Sequence, residues 1–188
     1  MTVRQSFLAL SALTLSALPL SLASAPAAQA ALKEGAQAMD FTTQAALSGK
    51  AFTFSLAKAL KKGPVVLYFY PKAFTSGCTI EANQFAEATP ELNAMGATVI
   101  GVSADNIETL KRFSVEECRN KFAVAVGSKK VIKAYDANLP VMGGSNRTTY
   151  IIAPDGKVIW SYSSLNVKGH VPGALAGVKA WKDAMAGK

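Results

Sequence analysis

The sequence predicts an α/β domain built on one mixed central sheet, and three observations carry that expectation. The runs Val65-Val66-Leu67-Tyr68-Phe69-Tyr70 and Thr98-Val99-Ile100-Gly101-Val102-Ser103 carry no charge and are mostly apolar, β-branched or aromatic, as in strands buried on both faces. Helix-forming stretches follow each run, at 79–88 and from about Ile107 to Lys121. Near the end, Pro154-Asp155-Gly156-Lys157 separates two strand-like runs, Arg147 to Ile152 and Val158 to Tyr162, with Asp-Gly as a hairpin signal. Strands alternating with helices, then a hairpin and a closing helix over Val171 to Met185, give a mixed sheet flanked by helices.

Taken in order, residues 1–30 stand apart from the fold. Arg4 supplies a positive start, Phe7 to Leu22 is apolar, and Ala28-Gln29-Ala30 is an A-x-A cleavage site. This reads as a secretory signal peptide over 1–30, followed by one domain over 31–188. The expected location is outside the cytoplasm, in the periplasm of a bacterial cell, with no stable membrane insertion. Ser48-Gly49-Lys50 is a turn from which Phe52-Thr53-Phe54 pairs back as an N-terminal hairpin. Leu56 to Leu60 is a short helix ended by Gly63. After the strand at 65–70 comes the helix at 79–88, expected to kink or restart at Thr89-Pro90 and to end at Gly96. Asp105, with Glu108 three residues on, has the spacing of a capping box for the helix over 107–121. Val124 to Val126 reads as a short strand, Lys129 to Tyr135 as a short helix, and 136–146, with Pro140, Gly143 and Gly144, as a loop.

Composition excludes some functions. The net charge of +8 falls to +7 without Arg4, but the basic residues are scattered and interleave with no aromatic stripe, so nucleic acid is not an expected partner. With one histidine, two cysteines and no C-x-x-C, neither a zinc site nor a thioredoxin-type dithiol is expected.

The chemistry concentrates in Pro71-Lys72-Ala73-Phe74-Thr75-Ser76-Gly77-Cys78, which links the strand at 65–70 to the next helix. Cys78 falls in the first turn of that helix. Unpaired N–H groups and the positive end of the dipole favour a thiolate there. Thr75 can bring a hydroxyl to the sulfur, and Pro71 stiffens the loop. The rival reading is a buried structural cysteine in a βα unit.

The spacing Pro71-x-x-x-Thr75-x-x-Cys78 resembles the active-site signature of peroxiredoxins. The wider string Tyr68-Phe69-Tyr70-Pro71-Lys72 … Phe74-Thr75-x-Gly77-Cys78-Thr79-x-Glu81-Ala82 is similar to the peroxiredoxin Q (bacterioferritin comigratory protein) branch. The resemblance spans Gly35 to Ala186. It departs from the usual pattern at Met39, Ala73 and Ser76, where proline, aspartate and proline are common in that branch.

The resemblance implies a thioredoxin-like fold and a thiol peroxidase with no cofactor. Cys78 is then the peroxidatic nucleophile, acting on hydrogen peroxide or organic hydroperoxides. The Gly77 and Cys78 N–H groups and the Thr75 hydroxyl would stabilise the leaving oxygen. Arg147 stands where the family keeps its active-site arginine; the alternative is an exposed edge-strand arginine. Glu81 either braces Arg147 or complements the helix dipole. The N-x-T string Asn146-Arg147-Thr148 is read as coincidence. Asn83 occupies the position of the branch's commoner resolving cysteine, so Cys118, on the next helix, is the candidate resolving residue. Its alternatives are an inert thiol or a permanent structural disulfide. A thioredoxin-like dithiol would recycle a monomer or weak homodimer. Rival functions are a one-cysteine peroxidase using an external thiol, a thiol–disulfide oxidoreductase, and a non-enzymatic peroxide-sensing module.

Overall fold

The computed structural model describes residues 31–139 and 143–187; the expected signal peptide at 1–30 and Pro140 lie outside the described residues. Among the described residues seven strands and five helices follow one another: β1 (Thr42–Leu47), β2 (Lys50–Ser55), α1 (Leu56–Leu60), β3 (Val65–Phe69), α2 (Ser76–Ala94), β4 (Thr98–Ser103), α3 (Ile107–Glu116), β5 (Ala123–Val126), α4 (Lys129–Ala134), β6 (Thr148–Ile152), β7 (Val158–Ser163) and α5 (His170–Ala186). They form one sheet of order β2-β1-β5-β4-β3-β6-β7. β3, β4 and β5 run parallel, joined by the α2 and α3 crossovers. The β6–β7 hairpin adds antiparallel to β3, and the β1–β2 hairpin adds antiparallel to β5. The expected mixed sheet with an N-terminal hairpin is therefore what the chain builds.

β3 lies at the centre, and all five of its residues are buried. Because strand side chains alternate, it serves two cores at once. Val66, Tyr68 and Tyr70 point to the layer of α2, α3 and α5, with Phe85, Leu92, Phe113, Ile151 and Val178. Val65, Leu67 and Phe69 point to the opposite layer, with Ile100, Tyr135, Tyr150 and residues of α1 and α4. An uncharged run is what such a position requires.

Two helix boundaries differ from expectation. α2 runs unbroken through Thr89-Pro90. Thr89 caps nothing; its hydroxyl donates to the Phe85 carbonyl at 2.7 Å. Phe85 and Leu92 bury on either side of Pro90, so packing outweighs the backbone bond that proline cannot make. The helix ends as predicted at Gly96, whose φ of 86° suits glycine. There Gly96 N–H reaches Asn93 and Ala97 N–H reaches Leu92, each at 2.9 Å.

α3 is capped by Asn106, whose side chain accepts from Thr109 N–H at 2.9 Å, not by Asp105. It also ends at Glu116, short of Lys121. Arg119 and Asn120 adopt left-handed backbone (φ 50° and 60°), closing a tight turn. Cys118 therefore sits in that turn, beyond the helix on which it was expected.

Candidate active site

The loop carrying the Pro71–Cys78 signature is held at several points. Tyr70 N–H donates to the Val102 carbonyl at 3.0 Å, and the Ser145 hydroxyl donates to the Tyr70 carbonyl at 2.5 Å. Half-buried Pro71 then turns the chain off the sheet. The Asp105 carboxylate accepts from Ala73 N–H and from the Ser103 hydroxyl, both at 2.8 Å. Asp105 thus fastens the loop to the end of β4, which is why it is not available as a cap. Phe74 has a positive φ of 64°, a strained conformation for a bulky residue, and packs edge-on against Phe113.

Thr75 occupies the N-cap position of α2, but its side chain makes no capping bond. Its hydroxyl donates instead to the Lys72 carbonyl at 2.9 Å. No hydrogen bond among the described residues joins Thr75 to Cys78. The first-turn N–H groups of α2 are left to whatever sits beyond the helix end. Cys78, the third residue of the helix, is only 1 % exposed.

Arg147, immediately before β6, is buried and spends its guanidinium on three partners. Nη2 donates to Cys78 Sγ at 3.5 Å, Nη1 pairs with Glu81 Oε2, and Nε donates to the Leu165 carbonyl at 3.1 Å. A Cβ at Gly77 would lie 3.1 Å from Nη2, so only a bare backbone lets the arginine lie this close to the helix. Glu81 is fully buried and braces Arg147 directly. Burial raises its carboxyl to about 7, with Arg147 pulling the other way. Of the two readings of Glu81, the bracing one describes its contacts.

His170, at the start of α5, completes the cluster. Its Nε2 lies 2.9 Å from the Ser164 carbonyl, which only accepts, so Nε2 carries the hydrogen. Nδ1 lies 2.8 Å from the Thr149 hydroxyl and 3.7 Å from Glu81 Oε1. Burial lowers this imidazole to about 4, so it is neutral near pH 7 and its approach to Glu81 is not an ion pair. The Tyr162 ring meets His170 edge-on, and Trp160 stacks on Tyr162.

These arrangements place the chain among known proteins. Residues 35–161 match the AhpC/TSA family. The chain belongs to that family. Peroxiredoxin Bcp of Xanthomonas campestris is 31% identical over 155 residues, covering 73% of this chain and 97% of that one. Peroxiredoxin Bcp of Bacillus subtilis is 34% identical over 123 residues, covering 61% and 77%. Among solved structures, peroxidoxin BcpB of Mycobacterium tuberculosis superposes with a TM-score of 0.72 at 30% identity, covering 79% of this chain and 97% of that one. The sheet is thus the thioredoxin-like fold of the peroxiredoxins.

In this AhpC/TSA member, both cysteines are free and buried. Cys118 lies in the same apolar cluster as Cys78. Its N–H donates to the Phe113 carbonyl at 3.0 Å, and burial, with Glu117 adding, pushes its thiol up. Asn83 donates to Glu117 Oε2 at 3.1 Å, tying α2 to the turn that holds Cys118. Asn146 is buried, with its amide on the Asp136 carbonyl and its oxygen accepting from the Thr148 hydroxyl, so the N-x-T string is sequestered. Sequence reasoning used His170 only to argue against a metal site and misassigned Asp105. The partners that set their roles, Thr149 and Glu81 for His170 and Ala73 for Asp105, lie more than 20 residues away in sequence, which no local spacing encodes.

Proposed function

We infer that this protein is a thiol-dependent peroxidase whose attacking atom is the sulfur of Cys78. The observation that carries the reading is a buried cysteine in the first turn of a 19-residue helix with an arginine nitrogen 3.5 Å from its sulfur. The thiolate attacks one oxygen of a hydroperoxide; an S–O bond forms and the O–O bond breaks. The departing oxygen takes a proton and leaves as water or an alcohol, and Cys78 becomes a sulfenic acid. Arg147 donates to the sulfur and to the oxygen on which charge develops. Thr75, its hydrogen already given to Lys72, offers a lone pair to the O–H of the peroxide. Pro71 and Asp105 hold the loop that carries Thr75.

Cys118 is the proposed resolving residue. Its thiol condenses with the sulfenic acid, an S–S bond forms and water leaves; a thioredoxin-like dithiol then returns both sulfurs to thiols. The two Cβ atoms must come within about 4 Å, so the turn at 117–121 and the first turn of α2 both have to open. Two left-handed non-glycine residues in that turn, Arg119 and Asn120, support opening at low cost. Export to an oxidising compartment, and a monomer or weak homodimer, complete the proposal; export rests on Arg4, the Phe7–Leu22 run and Ala28-Gln29-Ala30.

The test is the intact mass of the reduced protein after one equivalent of hydrogen peroxide, beside Cys78→Ser and Cys118→Ser. Loss of two hydrogens in the parent, absent from both variants, is expected. One added oxygen on Cys78 with Cys118 still free would replace the two-cysteine cycle with a one-cysteine cycle, a reading that the burial of Cys118 favours. An unchanged mass would end the peroxidase reading.

A further inference from the structure

A cleft opens where the N-terminal hairpin leaves the sheet. β1 registers with β2 at six positions, but with β5 only as Ala45–Ala125 and Ala46–Val124. The next residues along those two strands, Leu47 and Ala123, line the cleft instead of pairing. Its volume is about 440 Å³, within the range of small-molecule sites, roughly 300–1,000 Å³. Buried Phe54, Val99, Ile100 and Phe122 supply an apolar floor. Leu47 and Phe52 are walls left 38% and 41% exposed, large apolar surfaces that water covers at a cost.

The charges of the cleft have one sign. Lys58, Lys62 and Lys121 line it, and no acidic side chain does. None of the three pairs with a carboxylate among the described residues. Two other surface clefts carry both signs, Glu108 and Glu116 beside Lys111 and Arg112 in one, Glu87 beside Lys168 in the other. Mixed charge cancels, whereas a concave surface of one sign focuses its field on a counter-ion.

We propose that this cleft binds a free organic anion of the medium-chain carboxylate class, with its apolar body against Leu47, Phe52 and Phe122 and its head among the three lysines. Lysine recognises an anion by charge, without the planar fork of arginine, so a single carboxylate suffices. A concave site of this size suits a small molecule, not the surface of a folded partner. The cleft also stands at the far end of the sheet from Cys78. It takes in Thr98, where β4 begins, and Phe122, just before β5. The Cys78 loop follows the end of β3, which runs parallel to β4. The ligand is therefore not a peroxide held at Cys78, and the site is independent of the peroxidase reading.

The test titrates the full chain with octanoate and follows backbone amide shifts by heteronuclear NMR. Saturable shifts are expected at 52–59, 98–100 and 121–123, and none at 71–78. Acetate has the head alone and octanol the tail alone; each is expected to bind at least about tenfold more weakly. Lys58→Gln, Lys62→Gln and Lys121→Gln are each expected to weaken octanoate by about two- to fivefold, the range of an exposed ion pair, and to leave octanol unchanged. All three side chains are exposed, so the fold survives their exchange. Phe52→Ser, on the edge strand, removes a wall and is expected to weaken both ligands. Octanol binding as tightly as octanoate would overturn the assignment, as would lysine variants that all bind octanoate like the parent, or a parent without saturable shifts. Shifts at the same amides that grow with protein concentration, with no octanoate present, would make a second copy of the chain the occupant and overturn it too. A parent that binds octanoate and consumes no peroxide would refute the peroxidase reading and leave the cleft assigned.

Discussion

At the scale of single residues, Arg147 does what no other side chain type could do in its place. Its planar fork reaches a sulfur, a carboxylate and a carbonyl at once. Lysine is a point charge and keeps one of these contacts. Arg147→Lys is therefore expected to slow the reaction with peroxide by about 10²–10³-fold, the loss typical of removing one oriented donor, as read by stopped-flow mixing. Glu81 and His170 make a second prediction, with opposite signs. Glu81 is raised from 4.5 to about 7, so between those values the folded chain holds a proton that the unfolded chain has released, and stability falls as pH rises. His170 is lowered from 6.5 to about 4, so stability falls as pH drops through that window. From about pH 4.5 to 6.5 the two slopes oppose each other. Urea unfolding should show a nearly flat contribution in the parent, stability rising with pH in Glu81→Gln, and stability falling with pH in His170→Asn. Cys78 was singled out by its place at the strand–helix junction, and Arg147 through the family resemblance. The role of His170 was not, because it depends on which tautomer the Ser164 carbonyl selects.

At the scale of elements, strands were more legible than helix ends. β3 and β4 announce themselves because burial on both faces leaves no room for charge. Helix ends are set by competition for a few side chains, and Asp105 shows how that misleads. Its spacing to Glu108 fits a cap, yet the Ala73 amide, 32 residues earlier, holds its carboxylate. Asn106, one residue on, does the capping. The loop that carries Thr75 is thus fixed by an element it precedes. Asp105→Ala removes an acceptor from Ala73 N–H and from the Ser103 hydroxyl, and is expected to cost about 1–3 kcal/mol in urea unfolding. It should also slow the peroxide reaction, because the loop loses its tie to β4. Asp105→Asn, which keeps a side-chain oxygen, should restore much of both.

At the scale of the whole molecule, the parallel β3-β4-β5 core is buried between helical layers, and the proposed disulfide requires the two cysteine-bearing segments to adjust around it. A disulfide between Cys78 and Cys118 would trade the tie between Asn83 and Glu117, and the first turn of α2, for one covalent bond. Hydrogen exchange should report this: amides at 73–80 and 114–121 are expected to exchange faster in the oxidised protein, while those of β3 and β4 keep their protection. Equal exchange in both forms would place the two sulfurs in bonding reach without rearrangement. The overall fold was legible because the alternation of strand and helix is coarse and local; of the cluster, Cys78, Arg147 and Glu81 were expected, and the part played by His170 was not, because the cluster draws on α2, the approach to β6, and α5 at once. That same convergence makes the protein its own optical reporter. Trp160 stacks on Tyr162, whose ring meets the edge of His170. A tryptophan coupled through one ring to an imidazole beside the reactive cluster is expected to change its emission when the charge there changes. The catalytic cycle of this protein is therefore open to fluorescence without an added dye, with Trp160→Phe, which leaves Trp181 as the remaining tryptophan, as the control.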